Sequence, residues 1–235
     1  SDVCSSDLGE LLWKEDKWFD DAWYFYKGFA RVYIKGQGWN FINTKEELVW
    51  KGDIWFDEVG YFVNGFAIVK IEGRGYNYIN SNGELLWKEY KNFDNVGNFF
   101  NGFAKVYKIG RGYNWINTNG ELLWKEDEWF DEVSYFYDGF AWVKIEGKGW
   151  NVINTQGELV WKEYKHYTYV GSFSNEFAVV YIVGRGFNYI NTKGELLWKG
   201  KKWFDDVKSF HEGFAVVYID NKSYKLNTKG ELIKN

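Results

Sequence analysis

Proline and methionine are absent from the 235-residue chain, cysteine occurs once and histidine twice. At ordinary usage of about 5%, roughly a dozen prolines would be expected. One cysteine and two histidines exclude a disulfide scaffold, a structural zinc centre and a Cys-His nucleophile. No apolar run approaches the roughly 18 residues of a membrane helix, so no transmembrane span is expected. Basic residues are not in excess: 29 Lys and Arg face 33 Asp and Glu, for a net charge of -4. That balance, with a pI near 5.4, argues against nucleic acid as a partner. Aromatic rings are what the chain has in plenty. Trp 15, Tyr 18 and Phe 20 make up 23% of it, while mean hydropathy is only -0.48. Twenty-six glycines scattered among them point to many short strands joined by turns.

The first eight residues, Ser1-Asp2-Val3-Cys4-Ser5-Ser6-Asp7-Leu8, share nothing with the pattern that starts at Gly9. They resemble translated sequencing-adapter read-through and are set aside as a scar. Cys4 goes with them, and the start of the chain is expected to be a truncation. Both a cell-surface and a cytoplasmic location are compatible with what remains.

From Gly9 onward the chain repeats. Leu-Leu/Val-Trp places its tryptophan at Trp13, Trp50, Trp87, Trp124, Trp161 and Trp198, always 37 residues apart. A fixed period of this size marks a solenoid, propeller or array. The repeats run about 9–46, 47–83, 84–120, 121–157, 158–194 and 195–235, as one domain. Within a repeat the hydrophobic period is two, not 3.6. Three antiparallel strands are expected in the second repeat, at 65–71, 76–81 and 84–88. Ala67, Val69 and Ile71 share one face, and Asn82-Gly83 is read as a hairpin into the third strand. Asp127-Glu128-Trp129-Phe130-Asp131-Glu132-Val133 is a connector, as strand or loop.

The order Phe-Asp-Asp/Glu-Val, Gly-Phe-Ala-x-Val, Gly-x-Gly-aromatic, Ile-Asn-Thr-x-Gly-Glu resembles the WG-containing β-repeat of bacterial tandem arrays. The family's Trp-Gly is replaced by Trp39-Asn40, Tyr76-Asn77, Tyr113-Asn114, Trp150-Asn151 and Phe187-Asn188. Its proline segment is replaced by Leu-Leu-Trp-Lys. Asn for Gly is the exchange expected where the backbone adopts positive φ. The resemblance implies a non-enzymatic all-β repeat domain with no catalytic residue to carry over. The expected architecture is an open twisted solenoid-like array of three-stranded meanders, with a closed six-bladed β-propeller as the alternative.

A slower pattern of 74 residues lies on top. The repeats around Trp55 and Trp129 share Trp-Phe-Asp-Glu-Val, whereas those around Asn92 and His166 share Lys-Glu-Tyr-Lys. Duplication of an ancestral pair explains it, as does a difference in environment between alternate repeats.

Catalytic residues in a repeat should break its pattern. The exceptions His166, Thr168, Glu176 and His211 have no common spacing, so no enzyme is expected. The recurring Asp20, Asp57, Asp94, Asp131 and Asp205 read as turn formers that bind nearby backbone N–H groups. Glycines before Phe-Ala, and those closing the Asn-Thr turn, should need positive φ, with Glu176 and Glu46 as strained exceptions. The last repeat drops its Gly-Arg-Gly and ends in polar residues, as a C-terminal cap would.

Function is then left to the aromatics. Trp13 and its five equivalents are expected in the core. Trp18, Trp55, Trp129 and Trp203 lie among charges in the connectors. With Tyr33, Tyr107, Trp142, Tyr181 and Tyr218 on the strands, and Arg74, Arg111 and Arg185 on hairpin tips, they form the candidate binding surface. The expected role is a non-catalytic module for a protein or peptide partner, the alternative a cell-wall glycan binder. No cofactor or metal is implied.

Overall fold

A computed structural model describes residues 19–233. The first eight residues, Trp13 and Trp18 lie outside that range. Among the described residues all regular structure is β and no helix is present, hence none long and apolar enough to cross a membrane. Nineteen strands form six antiparallel sheets in tandem, none of them closed into a barrel.

Each repeat contributes a two-residue strand and two six-residue strands. They are β1 Asp21–Ala22, β2 Phe29–Ile34 and β3 Gly38–Asn43; β4 Glu58–Val59, β5 Phe66–Ile71 and β6 Gly75–Asn80; β7 Asn95–Val96, β8 Phe103–Lys108 and β9 Gly112–Asn117. There follow β10 Glu132–Val133, β11 Phe140–Ile145 and β12 Gly149–Asn154; β13 Tyr169–Val170, β14 Phe177–Ile182 and β15 Gly186–Asn191; β16 Asp206–Val207, β17 Phe214–Ile219 and β18 Lys222–Asn227. A nineteenth, Leu232–Ile233, adds a fourth strand to the last sheet.

The strand order corrects one expectation. The third strand of each meander is the connector's Glu58–Val59, paired with β5, and not Glu84–Lys88. The Leu-Leu-Trp segment keeps only a single bridge, Ile79 to Leu85. The cause is a buried side chain. Trp87 N–H donates to Asn77 Oδ1 at 3.1 Å and Asn77 Nδ2 donates to the Trp87 carbonyl at 2.8 Å, so an amide side chain replaces the backbone ladder. The same pair forms between Asn40 and Trp50, Asn114 and Trp124, Asn151 and Trp161, and Asn188 and Trp198. None of these asparagines has positive φ. The exchange of Gly for Asn therefore has a different reason from the one expected. Each amide is fully buried and satisfied by three hydrogen bonds, the third from the next N–H.

β5 alternates as the period of two requires, with Ala67, Val69 and Ile71 buried. β6 is buried on both faces, since Asn77, Tyr78 and Ile79 are all inaccessible. Its second face is covered by a ring that recurs every 37 residues: Phe62, Phe99, Phe136, Phe173 and Phe210 are all buried. Phe99 meets Tyr78 edge-on at 5.0 Å and Phe66 at 4.6 Å, and Phe210 does the same to Tyr189 and Phe177. Each repeat thus covers the sheet before it. That contact is how a unit too small to have its own core gains one.

The turns obey the expected chemistry. Asn64-Gly65, at φ of +50° and +89°, makes a two-residue turn between Val63 and Phe66. Asp57 Oδ2 accepts the Glu72 N–H at 2.7 Å, and Asp20, Asp131 and Asp205 repeat the bond. Asn80 Oδ1 accepts the N–H groups of Asn82 and Glu84. The exceptions Glu46 and Glu176 sit at φ of +67° and +69°.

By compactness the described chain falls into an N-terminal body, residues 19–108 and 116–121, and a C-terminal body, residues 109–115 and 122–233. One core in the first body gathers Phe41, Val49, Phe56, Phe62, Ala67 and Val69. In the second, Trp161, Val170, Phe173, Val180, Ile190 and Trp203 form another.

Candidate binding surfaces

The connector tryptophans are not a surface. Trp55, Trp129 and Trp203 are only 6%, 4% and 2% exposed. Charged neighbours in sequence misled here, because the connector passes under the Gly-Arg-Gly turn and the indole folds inward beneath it. Arg111 and Arg185 lie over the Trp129 and Trp203 rings, at 4.7 Å and 4.4 Å from the ring centres. Two of the expected arginines are therefore lids on two of the expected tryptophans. Arg74 is also exposed, on a repeat whose connector has Asn92 in place of tryptophan.

The strand aromatics Tyr33, Tyr107, Trp142, Tyr181 and Tyr218 are half-buried. Tyr33 packs on Trp39 at 5.1 Å, Trp142 on Trp150 at 4.7 Å and Tyr181 on Phe187 at 4.6 Å. Much of each ring is used across its own hairpin.

Several of the rings that do reach solvent flank the recurring phenylalanine. Alternation puts Phe25, Phe62 or Phe136 inward and its neighbours outward, and the 37-residue phenylalanine is the signal that locates them. In the N-terminal body, Trp23, Tyr24 and Tyr26 are exposed, Tyr24 to 62%. Tyr61 lies 6.5 Å from Tyr24 and 5.4 Å from Tyr26. Its hydrogen bond holds the Tyr24 hydroxyl above the usual tyrosine range. The Arg31 guanidinium is sandwiched, 3.9 Å from the Tyr61 ring and 4.3 Å from Trp23. It donates to the Val59 carbonyl at 3.3 Å, while its Nε is buried without a partner.

The C-terminal body carries two grooves. One, of about 700 Å³, is lined by Tyr181, Arg185, Phe187, Lys201, Lys202, Trp203 and Asp205. It brings together three residues singled out from sequence: Tyr181, Arg185 and Trp203. Lys202 is tied to Asp220 at 2.6 Å, which raises its pKa, and it lies 3.5 Å from Asp205. The other groove, of about 510 Å³, has exposed Tyr137 and Tyr169 beside Asp138, Ser172, Ser174 and Ser209. Among the described residues no group of three His, Cys, Asp or Glu side chains could hold a metal ion.

The WG containing repeat model matches residues 56–74, 130–148 and 189–222, so at these three places the chain is similar to the family it resembles from sequence. No curated protein matches the chain significantly. Among solved structures, the computationally designed Ika8 protein is 12% identical with a TM-score of 0.40, over 96% of this chain and 77% of that one. BamB from Moraxella catarrhalis is 12% identical with a TM-score of 0.35, over 88% and 72%. AztD from Citrobacter koseri is 10% identical with a TM-score of 0.43, over 91% and 70%. All three scores fall short of a shared fold.

Proposed function

We propose that this chain of WG repeats is a non-catalytic module that binds a protein or peptide partner. The observation that carries this reading is the patch of Trp23, Tyr24, Tyr26 and Tyr61 around the sandwiched Arg31. Trp, Tyr and Arg are the residue types that dominate binding energy at protein interfaces, and here their rings are held in place before any partner arrives. The residues that could have served catalysis have other tasks: the repeated aspartates cap hairpins and the asparagines hold strands. The test is capture of partners by the wild-type chain and by a Tyr24→Ser/Tyr26→Ser variant. A captured protein lost on substitution supports the reading, and identical capture by both removes it.

A glycan reading is favoured by the groove of Tyr137 and Tyr169 with three serines and Asp138, where exposed rings meet hydroxyls. Sugar-competed pelleting on insoluble peptidoglycan, chitin or β-glucan would establish it. No pelleting would exclude those polymers.

A further inference from the structure

The connector stretch after Leu-Leu/Val-Trp differs in charge from repeat to repeat, and the contrast is greatest between the turns of Arg111 and Arg185. At the turn of Arg111, the Arg111 guanidinium donates to the Asp127 carbonyl at 3.3 Å and lies 3.6 Å from the Asp127 carboxylate. Glu128 takes Lys148 at 2.5 Å. Residues 125–128 carry one lysine against three acids. Seventy-four residues on, the same stretch is Lys199-Gly200-Lys201-Lys202, three lysines and no acid. Lys201 stands where Asp127 stood, beside Arg185 where Arg111 stood. Lys202 is neutralised by Asp220 and Asp205, so Arg185 and Lys201 face the groove without a carboxylate counterpart among the described residues.

Folding alone gives no reason for this inversion, since the acidic version of the turn packs its indole just as deeply. Two exposed cations on one groove wall repel each other until an anion joins them. Arg185 lies over the Trp203 ring, 4.4 Å from its centre, a contact that restricts the side chain and reduces the entropy lost on pairing with a carboxylate. The groove offers no open ring face for stacking a base: Trp203 is covered, and Tyr181 packs on Phe187. A net charge of -4 also opposes a long polyanion.

We infer that the groove of Tyr181, Arg185, Lys201 and Trp203 docks an acidic peptide segment, with one carboxylate in the Arg185 fork and another on Lys201. The inference rests on the protein-binding reading and gives its partner a charge.

The test is fluorescence anisotropy of the full chain with a labelled dodecapeptide of alternating Glu and Ser, and with its Gln-for-Glu counterpart. The acidic peptide should bind at least about tenfold more tightly than the neutral one, and progressively less tightly as salt is added. Arg185→Gln should weaken it by about tenfold or more. Lys201→Asp, which copies the other turn without uncovering Trp203, should do the same, while Arg111→Gln changes nothing. Equal binding of the two peptides overturns the inference, as does equal loss in Arg111→Gln. Tighter binding of an oligothymidylate, with displacement of the peptide, overturns it in favour of nucleic acid. If the peptide fails while partner capture still depends on Tyr24 and Tyr26, only the groove assignment falls. If the peptide binds through Arg185 while capture ignores those tyrosines, the aromatic patch falls and the groove stands.

Discussion

The repeats are of two kinds, and they differ in which tryptophan goes inside. In the first kind the connector supplies Trp55, Trp129 or Trp203, and these are buried. The Leu-Leu/Val-Trp tryptophans of those repeats, Trp50, Trp124 and Trp198, are only half-buried. Their indole N–H groups turn back on the connector, donating to the carbonyls of Ile54, Glu128 and Lys202 at 2.9–3.0 Å. In the second kind the connector offers Asn92 or His166, both exposed, and the Leu-Leu/Val-Trp tryptophans Trp87 and Trp161 drop into the core instead. Trp87 Nε1 then donates forward to the Gly120 carbonyl at 2.8 Å, whereas Trp161 Nε1 is buried with no partner. The bridge changes too. Trp39 pairs with Phe56 and Phe187 with Phe204 in the first kind, but Tyr76 with Lys91 and Trp150 with Lys165 in the second. Of these two positions, each described repeat buries an indole at only one. The 74-residue pattern is therefore a difference in packing, whatever its ancestry.

Exchanging the deciding residue should break this comparison most severely. Trp203→Asn gives the first kind the second kind's connector. Its cost should be about 3–5 kcal/mol, as for other aromatic truncations in a core. The reciprocal Asn92→Trp adds a ring at an exposed site and should change stability by less than about 0.5 kcal/mol. Urea denaturation of both variants measures the asymmetry. A loss below about 1 kcal/mol for Trp203→Asn would mean that Trp198 swings in to replace it, so that the two kinds interconvert freely.

What the kinds share should fail alike. Asn151→Gly restores the Trp-Gly that names the family and Asn188→Gly makes the related Phe-Gly, one in a repeat of each kind. Each leaves the N–H and carbonyl of a tryptophan without their amide partner, so a loss of about 3 kcal/mol is expected in both. A much larger loss at one site would show that the depth of the paired tryptophan, and not the amide, sets the cost.

These amides also mark where sequence stops being sufficient. The 37-residue period, the alternation in Ala67, Val69 and Ile71, the aspartate turns and the positive-φ glycines were all legible, because local chemistry decides them. The third strand was misplaced because Leu85-Leu86-Trp87 has strand composition, and only the burial of Asn77 shows that a side chain has taken over its pairing. The exposure of the connector tryptophans was misread for a related reason. Charges flanking Trp129 suggest exposure, yet an arginine from the neighbouring turn covers the indole, a contact 18 residues distant in sequence. Tyr24 and Tyr26 could have been found from the phenylalanine at every thirty-seventh position, which fixes the outward phase of its immediate neighbours, whereas Trp23, two residues away, could not.

The turn before Phe-Ala should ignore the distinction between kinds. In all other described repeats glycine holds this site, and a Cβ there meets nothing, as at Gly139. Only φ is at stake. Glu176→Gly should therefore stabilise the chain by about 1 kcal/mol, and Gly139→Glu should destabilise it by the same amount. Unequal magnitudes in urea midpoints would show that a neighbour, and not backbone strain, governs one of the turns.

The smallest effect belongs to alkaline pH and separates the kinds again. The second kind carries Tyr90 and Tyr164 where the first has Asp53, Asp127 and Lys201. Burial raises the pKa of both hydroxyls, for Tyr90 to about 12. The unfolded chain ionises such a tyrosine near 10, before the folded chain does. Its contribution to stability is thus complete below pH 10, declines as pH rises from about 10 to 12, and changes little beyond. Tyr90→Phe should leave stability at pH 7 within about 0.5 kcal/mol of wild type and make the decline above pH 10 shallower. Tyr78 and Tyr189, whose pKa values burial also raises, sit on strands of both kinds and keep the remainder of the slope. A slope unchanged by Tyr90→Phe would mean that the hydroxyl is as well hydrated in the fold as out of it, and that the second kind's connector is looser than its half-buried rings suggest.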